Sequence, residues 1–187
     1  QLVVSLSQTV GDNPAQVQLL AEIKASIDGW RKDVTLPMIN LRRQVVKGLV
    51  PLHEMVEEVG KAKGKIYFDK FRSQVATFIE REEKLNVKRQ EAVINVTGAA
   101  AENRALIAKT TKRVAHTRDV IETANDIIAS GVDMETGMRG YLLAGIEGFL
   151  DPYINGGKKF YELVASLSQT VNDNPAQVKL LAEVKAN

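Results

Sequence analysis

The sequence predicts an all-α fold built of long antiparallel helices. Three observations carry this. Apolar residues recur at steps of three and four over most of the chain, which is the period of a helix with one buried face. Proline stands only at Pro14, Pro37, Pro51, Pro152 and Pro175, so the interval from 52 to 151 is free of it and permits long helices. Aromatic residues make up 5% of a chain that is 44% hydrophobic and 26% charged, a balance that favours helix over sheet and argues against disorder.

Each element follows from its own signals. Asp12-Asn13-Pro14 reads as a helix start, because a short polar side chain can accept from orphan N–H groups and proline is comfortable in the first turn. Val17, Leu20, Ile23, Ile27 and Trp30 then form an amphipathic stripe, with Gly29 a mild weakness in it. The pattern resumes beyond Pro37 with Ile39, Leu41, Val45, Val46, Leu49, Leu52, Met55, Val56 and Val59, predicting one helix from about 14 to about 60, kinked at Pro37 and Pro51. Gly60-Lys61-Ala62-Lys63-Gly64-Lys65 is a turn. Ile66, Phe68, Phe71, Val75, Phe78, Ile79 and Leu85 open the next helix. A seven-residue repeat follows through Val93, Val96, Ala100, Asn103, Ile107, Thr110, Val114, Thr117, Ile121, Ala124 and Ile128. Residues 65–143 therefore read either as one helix, about 120 Å long at the usual rise, or as two helices meeting near Gly98. Gly145 and Gly148 flank a short turn. Another helix runs through Phe149, Leu150, Tyr153, Phe160, Leu163, Val164, Leu167 and Val171, weakened at Gly156-Gly157, and a last one starts at Pro175. No stretch alternates as a strand would.

The chain also repeats itself. Residues 1–26 align without a gap to residues 162–187, a shift of 161, and differ only at Gln1/Glu162, Val4/Ala165, Gly11/Asn172, Gln18/Lys179, Ile23/Val184 and Ser26/Asn187. A period of that length is the size of a domain, so the chain reads as a piece spanning a tandem of two similar units.

Composition excludes several functions. With 25 basic and 23 acidic residues the formal charge is +2, which gives no support to nucleic-acid binding. Cysteine is absent, so disulfides, thiolate metal sites and a cysteine nucleophile are ruled out. His53 and His116 have no partner at metal spacing, and the bland reading of both is surface or packing. No nucleophile elbow, phosphate loop or Glu-x-x-His pair occurs, so the expectation is a non-enzyme with no metal and no cofactor. No stretch approaches the ~18 apolar residues of a membrane span, and no signal peptide opens the chain.

One segment stands apart: Asp133-Met134-Glu135-Thr136-Gly137-Met138-Arg139-Gly140-Tyr141-Leu142-Leu143-Ala144-Gly145. Glu135 and Arg139, four apart, share a helix face. Its glycines are costly in a helix and point to close packing or a bend. The plain reading is an ion pair beside a tight helix crossing; the sharper one is a binding or switching site.

Glu135 to Gly145, followed by Phe149-Leu150-Asp151-Pro152-Tyr153, resembles the hallmark of the third CHASE-type extracytoplasmic sensory domain, found in bacterial histidine kinases, diguanylate cyclases and chemoreceptors. Asp173-Asn174-Pro175-Ala176-Gln177 is similar to the opening of that family's third helix. Gly64-Lys65, Asp69, Arg72, Phe78, Glu82 or Glu83, Leu85 and Arg89 are similar to its fourth. The order departs from the family's, since the last two elements come first here. The repeat accounts for this: residues 1–95 resemble the second half of one sensory unit, 96–104 a helical junction, and 105–187 the first half of the next.

The resemblance implies a four-helix-bundle sensor fold. A lone hairpin would leave an apolar face in water, at about 25 cal/mol per Å², so the halves must associate. They can close on each other as a permuted bundle, exchange with another chain as a swapped dimer, or form stacked bundles similar to helical bimodular sensors; the unbroken heptad favours the last two. The resemblance further implies a periplasmic or extracytoplasmic location, a membrane-anchored parent, a homodimer or swapped oligomer, and a small organic ligand whose binding shifts the long helices. Arg113, Arg118, Arg139 and Tyr141 are the ligand-binding candidates, since a guanidinium matches a carboxylate well. Glu135, Arg139, Tyr153, Asp69 and Arg72 are the structural keystones. A structural or partner-binding helical repeat, acting as a spacer, is the alternative.

Overall fold

The computed structural model describes residues 14–96 and 104–172. The helices are α1 (Pro14–Trp30), α2 (Leu36–Val46), α3 (Leu52–Gly60), α4 (Lys63–Val96), α5 (Arg104–Ala144) and α6 (Asp151–Asn172). A π-helical turn, Arg31–Thr35, joins α1 to α2, and a 3₁₀ turn, Glu147–Leu150, precedes α6. No strand occurs among the described residues. Asp173-Asn174-Pro175 and the helix expected to follow lie outside them.

Four helices make the bundle, running up and down in the order α1, α4, α5, α6. Pairings across the interfaces set the directions. Gln16 meets Glu82 while Ser26 meets Gln74, so α1 and α4 are antiparallel. Arg89 meets Thr117 while Arg72 meets Glu135, so α4 and α5 are antiparallel. Asp126 pairs with Lys159, and Gly137 lies against Tyr153, which orients α5 and α6. Tyr161 returns to Asp28 and closes the ring between α6 and α1.

Of the two readings left open for 65–143, the structure takes the second, two helices folded back on each other. In one straight helix Arg89 and Thr117 would be about 42 Å apart, yet the guanidinium donates to that hydroxyl. Within this chain the two halves bury their stripes on each other, although the heptad had favoured a long helix. The repeat pattern is the same whether the partner is another chain or the same chain folded back.

The expected helix 14–60 also ends early. Gly48 sits in the left-handed region at φ +71°, Leu49 N–H donates to Gln44 C=O at 3.0 Å, and Gly48 N–H donates to Val45 C=O at 3.0 Å. This is a Schellman stop, and Pro51 prevents resumption. The kink at Pro37 is replaced by the π turn. Proline cannot donate to the carbonyl four residues back and its ring crowds it, and the wider turn before it relieves both problems.

The core is aromatic at its centre. Trp30 and Phe68 meet edge to face at 4.8 Å, Phe68 and Phe71 at 5.8 Å, and Phe71 and Phe160 at 6.1 Å. Leu20, Ile23, Ile27, Phe78, Ile127, Met134 and Leu167 are buried around them. On α5 the buried stripe is Thr117, Val120, Ala124 and Ile127, so Ile121 and Ile128 of the expected stripe are only half-buried. The helices approach closely where side chains vanish. A Cβ on Gly137 would stand 2.5 Å from Tyr153 N, and one on Gly156 2.8 Å from Ser130 O.

Candidate ligand-binding site at one end of the bundle

The residues flagged separately in two parts of the sequence meet at one place. On α5, Glu135 is buried, and Arg139 one turn on reaches its Oε1 at 2.7 Å. From α4, Arg72 Nη2 donates to Glu135 Oε2 at 3.1 Å. One carboxylate thus holds two guanidiniums and ties α4 to α5. Arg72 also lies 5.5 Å over the Phe68 ring, a cation–π contact. Both guanidiniums remain well exposed, at 50% and 68% of their side-chain surface.

These groups line a cavity of about 490 Å³ where the π turn, α2, α3, α4 and α5 converge. Its apolar wall is Trp30, Val34, Phe68, Met138 and Leu142; Asp69, ion-paired to Lys65, stands at its rim. Ala62, at φ +51°, turns the chain from α3 into α4 beside it. The volume falls within the range of small-molecule sites, and charged side chains of both signs line it: Asp33, Glu58, Asp69 and Glu135 against Lys63, Lys65, Arg72 and Arg139.

The other sequence candidates lie elsewhere. Tyr141 is buried and donates its hydroxyl proton to Glu147 Oε1 at 3.1 Å, while Arg43 grips the same carboxylate through Nε and Nη2 at 2.9 and 3.0 Å. Burial first, and then that hydrogen bond, push the Tyr141 phenol above its ordinary range. This cluster fastens α2 to the 3₁₀ turn. Tyr153 is buried against Trp30 and accepts from Arg31 Nε at 3.2 Å. Arg31 Nη1 also donates to Tyr161 at 2.9 Å, joining the π turn to α6.

Arg113 and Arg118 are remote: Arg118 is seventeen residues before Glu135 on α5, about 25 Å along the axis. Arg118 is exposed, and Arg113 is half-buried where its carbonyl accepts from Arg89 Nη1 at 3.3 Å. Burial lowers the affinity of both Arg89 and Arg113 for their protons. His53 and His116 are exposed.

Sequence reasoning named the cations of the cavity but missed its apolar wall. Phe68 and Met138 each precede a flagged residue, and Trp30 is the only tryptophan. Those were the available signals. The pairing of Arg72 with Glu135, 63 positions apart, had none.

Fold and cavity together define a helical-bundle domain with a ligand-sized, charged opening at one end. Among the described residues no group of His, Asp and Glu could hold a metal ion. The chain belongs to the CHASE3 domain family, whose model matches residues 1–92 and 110–187. CHASE3 is an extracytoplasmic sensory domain of signalling receptors, and the two matched stretches agree with a chain that spans two units. No curated protein and no solved structure matches it. No described helix is long and apolar enough to cross a membrane.

Proposed function

We propose that this chain is a ligand-sensing and signal-relaying module of a bacterial transmembrane receptor, whether chemoreceptor, histidine kinase or cyclase, on the outer face of the cytoplasmic membrane. The observation that supports it best is the cavity at the converging helix ends, where Glu135 couples α4 and α5 through Arg72 and Arg139. A ligand that competes for those guanidiniums changes how α4 sits on α5. Long helices carry such a change as a small shift or rotation, to the extent that the ligand prefers one packing over the other. In this reading Glu135, Arg139, Arg72 and Asp69 form the responsive end, and Tyr153 and Tyr141 brace it. Residues 1–95 and 105–187 are complementary halves of tandem units, and the parent acts as a dimer.

Calorimetric titration with organic acids and amino acids tests the reading, alongside receptor output in the parent. Binding heat and altered output are expected, and both should weaken in Arg139→Ala; Arg113→Ala and Arg118→Ala serve as distant comparisons. Absence of heat with every ligand, and an Arg139→Ala receptor that signals as wild type does, would remove it. A spacer role is the second reading, motivated by the repeat itself. Further copies of the 161-residue unit flanking this one in the parent would favour it.

A further inference from the structure

The sequence carries the first half of α1 twice, and the structure shows the place that one copy fills. Residues 14–26 and 175–187 differ only at Gln18/Lys179, Ile23/Val184 and Ser26/Asn187. The first copy packs on α4 and α6 and buries Gln16, Leu19, Leu20, Ile23 and Ser26. Gln16 Nε2 donates to Phe78 C=O at 3.1 Å and to Glu82 Oε1 at 2.8 Å, and Ser26 Oγ donates to Gln74 Oε1 at 2.8 Å. Each of these side chains has a counterpart able to do the same. Gln177, Leu180 and Leu181 are identical, Val184 is one methylene shorter than Ile23, and Asn187 brings an amide N–H where Ser26 has a hydroxyl. Gln18, at the third difference, is exposed.

The end of α6 lies where the second copy can reach the groove. The Tyr161 hydroxyl donates to Asp28 Oδ1 at 2.5 Å across the antiparallel α6–α1 pair. Eleven residues on from Tyr161, α6 ends at Asn172; eleven residues back from Asp28 stands Val17. Asn172 is therefore level with the first turn of α1. Asp173-Asn174 separates it from Pro175, as Asp12-Asn13 precedes Pro14. Two residues suffice to join antiparallel helices. A chain that turns there runs back along α6 in the direction of α1, with Pro175 at the level of Pro14.

We propose that the groove between α4 and α6 has two alternative occupants within one chain: residues 14–26, seated in the structure, and residues 175–187, which replace them by folding back from α6. The bundle then closes in two ways, and α1 from Ile27 onward keeps its place in both, held by the buried Ile27 and Trp30. The copies are not equal. Loss of one buried methylene at Val184 favours the first by about two- to tenfold. The second is thus the minor occupant, and weakening the first brings it forward. None of this depends on what the cavity binds.

The chain has no cysteine, so an engineered pair can be joined selectively with a short bismaleimide. Ala15 and Arg81 are exposed neighbours, with Arg81 Nη1 donating to Ala15 C=O at 3.3 Å. In the full chain, Ala15→Cys with Arg81→Cys should be joined in most molecules. Ala176→Cys with Arg81→Cys should be joined in about a tenth to a third of them during a short pulse. That product should have the intact mass of one chain at every protein concentration. Ala176→Cys with His53→Cys, on α3 beside the opposite end of α4, gives the background. Adding Leu20→Asp should raise the Ala176→Cys product about threefold or more, and adding Leu181→Asp should reduce it to background. Leu181→Asp alone should leave the urea midpoint unchanged, yet deepen the loss caused by Leu20→Asp when the two are combined. Circular dichroism establishes which variants fold, and the Leu181→Asp comparison carries the test if Leu20→Asp does not. A product at background in every folded variant overturns the proposal, as does one that joins two chains and grows with protein concentration.

Discussion

Replacing Gly137 by alanine tests the packing at the α5–α6 crossing, because two opposing terms can be weighed. An added Cβ would stand 2.5 Å from Tyr153 N, and 3.2 Å from both Phe149 O and Pro152 C. Ordinary contact begins near about 3.5 Å, so α6 must retreat by about 1 Å. All three obstacles are main-chain atoms at the start of α6, which cannot swing away as a side chain can. Overpacking of this kind costs about 1–3 kcal/mol, and the backbone obstacle places it at the upper end. Against this, alanine is the better helix former by about 1 kcal/mol. The net is a loss of about 2 kcal/mol, or about 4–8 °C in Tm for a chain of this size. Thermal unfolding followed by far-ultraviolet circular dichroism measures it. Gly60→Ala is the matched comparison: nothing lies within 4 Å of its Cβ, so it should gain a few tenths to about 1 kcal/mol. A Gly137→Ala protein that melts at or above wild type would refute the close-crossing account.

Three further outcomes follow from the same structure. Ala62 holds φ +51° without being glycine, so Ala62→Gly should raise stability by up to about 1 kcal/mol, read as a higher urea midpoint. Glu135→Ala strips two guanidiniums of their shared acceptor; both are half-exposed or more and can turn to water, so the loss should be only about 1–2 kcal/mol and should shrink as salt is raised. Burial would raise the Asp28 carboxyl, but hydrogen bonds from Lys24 and Tyr161 outweigh it and hold the group below its ordinary range. Its contribution is therefore fully present above the ordinary carboxyl value and is lost as pH falls through the lower folded value, so the Tm gap between wild type and Asp28→Asn should hold down to about pH 5 and then narrow steadily as the pH is lowered further.

The parts of the fold that were legible are those fixed by local spacing. Leu20, Ile23, Ile27 and Trp30 stand at three and four, and all four are buried. Glu135 and Arg139 are one turn apart, and they pair. What stayed hidden depends on distant parts of the chain. A heptad looks the same in a straight coil and in a hairpin, so the fold-back of α5 onto α4 could not be read from Ile107, Val114 and their successors. The stop after Val46 needed Gly48 to be weighed above Pro51, and the hydrophobic run through Leu49 and Leu52 masked it. Both of those leucines are exposed, at 71% and 53%. The cavity was half visible: its cations lie in two motifs, but which residues face one another across the bundle is set by the turn after α3 and by the α4–α5 hairpin.

The π turn at Arg31–Thr35 acts as a phase shifter. It carries one residue more than an α-helical turn would, so everything beyond it is rotated by about 100° relative to an uninterrupted helix. That rotation lets α1 serve α4 and α6, while α2 brings Arg43 round to Glu147 and Arg42 to the carbonyl of Leu143, at 3.3 Å. Deleting a single residue here would restore ideal geometry and swing those arginines off their targets. The local irregularity is thus what allows one continuous rod to address two different sides of the molecule.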